Sequence, residues 1–525
     1  MPGTAYDFVI VGAGSAGCVL ASRLSEDPAT TVLLLEAGGP DRAREIRVPA
    51  AFSQLFKSRF DWAYYTEEQS HLHGRRLYWP RGKVLGGSSS INAMIYIRGN
   101  PSDYNHWHGL GNSGWGFADV LPYFKKAENQ ERGASEYHGV GGPLNVADLR
   151  SINPLSSAFV EAGVEMGLKR KSDFNGPEQQ GVGYYQVTQR RGKRVSAADA
   201  YLKPARRRPN LTIRTCAQAT RVLFDRRRAI GVEFVLGGQR EEARAYREVI
   251  LCSGTVNSPH LLMLSGVGPG DHLKALRIPV VAELPGVGQN LQDHMIVAVA
   301  YRATQPVSLA GAKTWTNRMK YLLTARGPFT SSVAEAGAFV KTSSEVAAPD
   351  LGLTFGPTYY LDHGFQRPEG HGFTLGPTKL RPQSRGAITL RSANPFEPPA
   401  IQPNYFSHDA DVRTFVEGIR LCRRLAQARA FDDFRGTEMY PGPAVESDAA
   451  IIEYLRGGLE TLYHPVGTCQ MGSDSAAVVD ECLRVRGAEA LRVVDASIMP
   501  TITSGNTNAP TIMISERAAD LIRHG

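Results

Sequence analysis

The sequence has no C-x-x-C pair and no metal-ligand spacing among its six cysteines, Cys18, Cys216, Cys252, Cys422, Cys469 and Cys482. That scatter argues against a zinc module or a disulfide framework and points to reduced thiols in a cytosolic protein, with no metal expected. No apolar run approaches the ~20 residues of a bilayer span. The N-terminus enters a strand pattern directly, without a basic region and apolar run before it, so no signal peptide is expected. Peripheral contact with a membrane surface stays open. Internal repeats and low-complexity tracts are also lacking, which sets solenoid architectures aside. The net charge is +8, but the basic residues lie in short clusters such as Arg206 to Arg208 and Arg226 to Arg228, without interleaved aromatics. Solvated surface is the expectation there, and nucleic acid is not an expected partner.

What is present fits a globular protein of more than one core. The chain has 525 residues, 42% of them hydrophobic and 21% charged. That length exceeds what a single core usually fills, so two domains or one large composite are expected.

The clearest local pattern lies at the start. Tyr6 to Val11 is a short apolar run, Gly12-Ala-Gly14-Ser15-Ala16-Gly17 follows, a helical stretch reaches about Glu26, and Thr31 to Leu35 is a second buried-strand pattern ending at Glu36. Gly12 permits a tight turn, Gly14 lets a pyrophosphate approach the backbone, and Gly17 lets the helix pack on the sheet. Glu36 follows Gly12 by 24 residues, near the ~20 expected of an acid that bonds a ribose hydroxyl. Dinucleotide binding is the reading, and at this point NAD and FAD are not distinguished. Further on, Arg81 to Gly99 runs glycines and serines into an apolar stretch, offering backbone N–H groups to an anion or an electron-rich ring. At the other end, Leu462 to Gly472, Val493 to Pro500 and Ser504 to Pro510 set one histidine and two asparagines on Gly- and Pro-rich turns.

Several of these stretches together resemble the glucose-methanol-choline (GMC) oxidoreductase family. Gly82 to Asn105 is similar to its first signature, Gly254 to Gly268 to its second, and Leu284 to His294 to a further family stretch; the C-terminal histidine and asparagine motifs complete the set. The resemblance runs from residue 6 to residue 520 and implies an α/β fold. A Rossmann-like FAD-binding domain is expected from residues 1–155, 192–300 and 458–525. A substrate domain is expected from 156–191 and 301–457, where alternating runs at Gly352 to Phe355, Gly372 to Leu375 and Ala387 to Leu390 suggest an antiparallel sheet covered by helices at Asp411 to Ala426 and Asp448 to Leu455. A helix is expected over Arg194 to Leu202 and one strand over Asn210 to Ala219.

The resemblance also implies a site. His464 falls on the family's catalytic base and Asn506 on its second active-site position, where an amide can orient a substrate oxygen but cannot act as a base. Carried onto this chain, the cofactor contacts are Gly12, Gly14, Ser15, Ala16, Gly17, Glu36 and Ala37, then Val84, Gly87, Asn92, Ala93, Met94, Ile95 and Ala219, and finally Asp495, Ala496, Asn506, Thr507 and Asn508. Some relatives link the flavin covalently through a histidine just before the motif asparagine, and this chain has Ile91 there, so FAD is expected to be non-covalent. Choline-oxidising relatives hold their substrate in an aromatic cage with a carboxylate. Trp62, Trp315 and Tyr463 are expected at the cage, whereas the acid position is Ile296, which suits a neutral or weakly polar alcohol better than choline.

The expected activity is therefore oxidation of a primary alcohol to an aldehyde in the cytoplasm, with oxygen or a quinone-like molecule accepting the electrons. The alternatives are a hydroxynitrile-lyase-like reaction that leaves the flavin unreduced, or choline oxidation proper. A light-driven decarboxylase is disfavoured, because the only cysteine of the substrate region, Cys422, falls on a covering helix. The particular alcohol, the acceptor and the oligomeric state are not legible.

Overall fold

The computed structural model describes residues 5–524. The N-terminal pattern builds the centre of a seven-stranded sheet. β1 (Ala5–Val11) and β2 (Val32–Leu35) are parallel and hydrogen-bonded, and between them runs α1 (Ser15–Leu24). Both strands are nearly continuous apolar runs because both faces of a parallel sheet are covered. Val9, Ile10 and all four residues of β2 are at most 1% exposed, each contributing about 1.5–3 kcal/mol of burial.

The sheet is completed by β3 (Leu211–Arg214), β4 (Ala217–Asp225), β5 (Arg228–Leu236), β6 (Gln239–Leu251) and β7 (Leu491–Val493), in the order β3-β2-β1-β6-β5-β4 with β7 on β6. The end of β6 lies parallel to β1 and β7, while its start forms an antiparallel hairpin with β5. From β6 the chain turns into α2 (Gly254–Leu264). The single strand expected over Asn210 to Ala219 is two strands. The break is at Cys216, whose φ is +57°, where the Cys216 and Ala217 N–H groups donate to the carbonyls of Gly38 and Glu36.

A second seven-stranded sheet runs 435–440, 299–303, 372–379, 351–356, 336–340, 181–184, 170–171, antiparallel except for its last pair. Helices Pro154–Glu165 and Asp409–Ala426 pack on it. Ala387–Thr389 does not join this sheet as expected; it pairs with Ala400–Gln402 as a separate ladder, held by Gly288 and Leu291. Arg194 to Leu202 is not one helix either, since a hairpin strand ends at Arg194 and a wide helical turn occupies only Ala198–Leu202. α3 (Trp315–Thr324) lies between strands of this half.

The chain closes on itself through α4 (Asn508–His524), which packs against α1. Arg23 on α1 donates Nε and Nη2 to the two carboxylate oxygens of Glu516 on α4 at 2.9 and 2.8 Å, and the Tyr201 hydroxyl donates to the same carboxylate at 2.8 Å. No helix among the described residues is long and apolar enough to cross a membrane.

Candidate active site

A cavity of about 1160 Å³ lies where the two sheets face each other, lined by residues of both. That exceeds the ~300–1,000 Å³ of an ordinary small-molecule pocket. One end is built by the turn between β1 and α1. A Cβ on Gly12 would sit 2.6 Å from the Cys252 carbonyl oxygen and one on Gly17 would sit 1.9 Å from the Gly12 oxygen, so strand, turn and helix meet at backbone distance. At Gly14 the nearest such atom is 3.9 Å away, and that side is open to the cavity. The free N–H groups at the start of α1 therefore face space able to take a phosphate. Glu36 accepts from the N–H groups of Ala13 and Gly38 at 2.9 and 2.8 Å. Burial lifts its pKa to about 7 against those two donors and Lys83. Each of its oxygens keeps a lone pair for a hydroxyl.

Of the other expected cofactor contacts, Ser15, Ala16, Ala37, Gly87, Asn92, Ala93, Met94, Ile95, Ala219, Asp495, Ala496, Asn506, Thr507 and Asn508 line the same cavity. Val84 and Gly17 do not: Val84 is buried in an apolar cluster with Ile46 and Phe52, and Gly17 is spent on packing. Asp495 reaches the wall with its carboxylate already committed, accepting from Gly254 N at 2.8 Å, Ser258 Oγ at 2.6 Å and Ser497 N at 2.8 Å. It caps α2 where the helix dipole favours an anion. Asn92 Oδ1 accepts from Met94 N at 3.0 Å and from Arg194 Nη1 at 2.7 Å. The set fits FAD: an open glycine turn for the pyrophosphate, a free-edged carboxylate for the ribose, and a wall of backbone and small side chains beyond.

At the other end stands a histidine pair. His464 Nδ1 is 3.0 Å from His294 Nδ1, and His294 Nε2 is 2.9 Å from the Leu380 carbonyl oxygen. A carbonyl only accepts, so His294 Nε2 carries a hydrogen. In neutral His294 the Nδ1 is then bare and accepts from His464 Nδ1–H. Neutral His464 is left with a bare Nε2, 3.1 Å from the Asn506 amide nitrogen. Both imidazoles are held neutral: burial pushes His294 down to about 4 against the Leu380 hydrogen bond, and burial, then His294, then Arg81 push His464 well below its ordinary value. Asp293 fixes the turn, accepting from His464 N at 2.8 Å and Thr461 Oγ1 at 2.6 Å.

The expected aromatic cage is not assembled. Trp315 opens α3 and is 70% exposed, outside the cavity; the inward side chain of that helix is Tyr321. Trp62 lines the cavity, but it stacks on Tyr64 at 5.7 Å and carries the Lys83 ammonium 4.2 Å from its ring centroid. Tyr463 and Ile296 also line it. The Tyr463 hydroxyl is engaged by His363 Nδ1 at 2.8 Å and Tyr360 OH at 3.0 Å. Ile296 pairs across strands with Glu460, a cavity carboxylate whose pKa burial raises to about 7.

Sequence reasoning missed His294, Asp293 and the group Asp362, His363 and Glu460, whose ligating atoms lie within 4.8 Å of one another. The Asp293-His294 pair was visible at the end of a family stretch. Glu460 had no signal beyond its closeness to His464 in the chain.

A dinucleotide cradle and a neutral imidazole aimed into one shared cavity define the class, a cofactor-dependent oxidoreductase. Family models described as GMC oxidoreductase match residues 6–296 and 382–515. The chain belongs to the GMC oxidoreductase family. It is 49% identical to "Alcohol dehydrogenase [acceptor]" of Pseudomonas putida, covering 98% of this chain and 95% of that one. It is 47% identical to "Choline dehydrogenase, mitochondrial" of Homo sapiens over 99% of this chain and 90% of that one. Among solved structures, pyridoxine 4-oxidase from Mesorbium loti superposes with a TM-score of 0.92 at 35% identity, covering 99% of each chain.

Proposed function

We propose that the protein is an FAD-dependent alcohol dehydrogenase or oxidase that converts an apolar primary alcohol to its aldehyde, in the cytoplasm and passing electrons to oxygen or a quinone-like acceptor. One observation carries this reading: the bare Nε2 of His464 faces Asn506 inside the cavity that also holds the dinucleotide cradle. Gly14, Ser15 and Glu36 would hold the pyrophosphate and ribose, and Ala93 to Ile95 with Asn506 to Asn508 would border the ring. Bound there, FAD supplies the two-electron acceptor for the carbon-bound hydrogen of the alcohol. His464 Nε2 takes the hydroxyl proton as general base. The Asn506 amide donates to the substrate oxygen and keeps it beside that nitrogen.

Phe52, Phe56, Ile91 and Val333 give the cavity apolar wall. These features support an alkyl or aryl alcohol. The choline-type reading keeps one supporting feature, Glu460 opposite Ile296. Anaerobic addition of alkanols should bleach the oxidised flavin, and His464→Ala should abolish bleaching while FAD stays bound; bleaching at an unchanged rate would remove His464 as the base. Turnover of a cyanohydrin without bleaching would favour the lyase. A Glu460→Gln variant that loses only cationic amino alcohols would move the substrate toward choline.

A further inference from the structure

α3 is the part of the surface that the alcohol chemistry leaves unexplained. Trp315 is 70%, Leu322 58% and Leu323 76% exposed. With half-buried Met319 they stand at i, i+4, i+7 and i+8, one stripe of a single helix. The opposite side is pinned: buried Tyr321 reaches the Gly192 carbonyl at 3.3 Å, Arg150 Nε donates to the Ala325 carbonyl at 2.8 Å, and Gly327 N donates to Ser151 Oγ at 2.7 Å. The stripe is therefore displayed by a helix fixed in place, where a soluble surface usually scatters its large apolar residues singly.

The charge around it is predominantly positive. Between Ala303 and Ala334 the chain carries Lys313, Arg318, Lys320 and Arg326 and no Asp or Glu. The hairpin that holds Tyr321 adds exposed Arg190, Arg191 and Lys193. The nearby Arg44–Arg47 turn brings Arg44, which acts on Tyr321, and one exposed acid, Glu45. An apolar stripe with Trp at its end and cations along its flanks is the pattern of a helix lying in the interface of an anionic bilayer.

We propose that α3 docks this protein on an anionic phospholipid surface. The helix leads within ten residues of Leu323 to Val333, which lines the cavity, so docking sets the cavity wall close to the bilayer. Apolar alcohols and lipid-soluble acceptors concentrate in that phase. The charge pattern selects lipid over a second copy of the chain, since two such faces would repel each other.

Flotation of the FAD-loaded protein with vesicles tests this. Phosphatidylcholine vesicles containing phosphatidylglycerol should carry it on the order of tenfold better than phosphatidylcholine alone, with the gain falling at high salt. Leu322→Ser/Leu323→Ser and, separately, Lys313→Glu/Lys320→Glu should lose that binding while flavin content and turnover of a water-soluble alcohol stay unchanged. Absence of flotation with the anionic vesicles, or equal flotation of the serine double variant, overturns the proposal. So does a stripe that proves to be a self-contact, seen as an oligomer that the serine variant splits.

Discussion

His294 lines the cavity beside His464, and it decides which nitrogen of His464 is basic. Its Nε2–H is spent on Leu380, so its Nδ1 can only accept, and His464 must present Nε2 to the cavity. Replacing it by leucine should lower kcat about 10²-fold through loss of the oriented base. His294→Gln should recover part of that, because an amide oxygen can still accept from Nδ1–H, and KM should move little in either variant. Steady-state kinetics of the pair checks this, and equal kcat in both would mean that shape alone matters. The depressed value of His464 carries a second expectation. The active form is the unprotonated one, so kcat/KM should stay on its plateau from neutral pH through the ordinary histidine range and fall only with further acidification. His464 and Asn506 were legible from their motifs. His294 was not, because its role rests on a ring-to-ring distance between segments 170 residues apart. Trp315 was misread for the same reason: its place in the order of the chain did not tell which way its helix faces.

At the scale of elements, a buried polar cluster ties the Arg98 turn to the loops beyond it. Arg98 Nη2 donates to Glu128 at 2.8 Å, and His138 bridges Glu128 at 3.0 Å and Asp173 at 2.8 Å. Burial alone would lower the pKa of His138, but the hydrogen bonds to Asp173 and Glu128 outweigh it and raise it to about 9. A value raised above the unfolded ~6.5 gives stability that is full below pH 6.5 and lost as pH climbs through 9. The melting temperature should therefore drop, on the order of 3 °C, between pH 6.5 and 9, and His138→Gln should flatten that slope. Arg194 makes another such knot. It is fully buried and bonds the Ile46 and Ser89 carbonyls and Asn92 Oδ1. Arg194→Met should cost about 2–4 kcal/mol by orphaning those acceptors, visible in a denaturant titration. Strand and helix periods made the elements themselves readable, including the covering helices. Breaks such as Cys216 were not, because the backbone bonds that impose them come from Gly38 and Glu36 in the loop after β2.

The whole molecule is organised by the meeting of its two ends. Ser15 Oγ donates to Asn508 Oδ1 at 2.7 Å beside the glycine turn, and the Arg23–Glu516 pair lies behind it with Glu516 fully buried. Glu516→Ala leaves Arg23 Nε and Nη2 and the Tyr201 hydroxyl without their acceptor while Arg23 Nη1 keeps Glu26, a loss of about 2–3 kcal/mol. The expected readout is earlier thermal release of FAD fluorescence, with Glu516→Gln intermediate. Motifs at both termini marked the two sides of this closure, whereas the Arg23–Glu516 pair has no sequence signature. The same closure sets a timetable for synthesis. Until α4 has been made, the glycine turn between β1 and α1 has no Asn508 to brace it, so that brace forms only once the segment carrying Asn508 has left the ribosome.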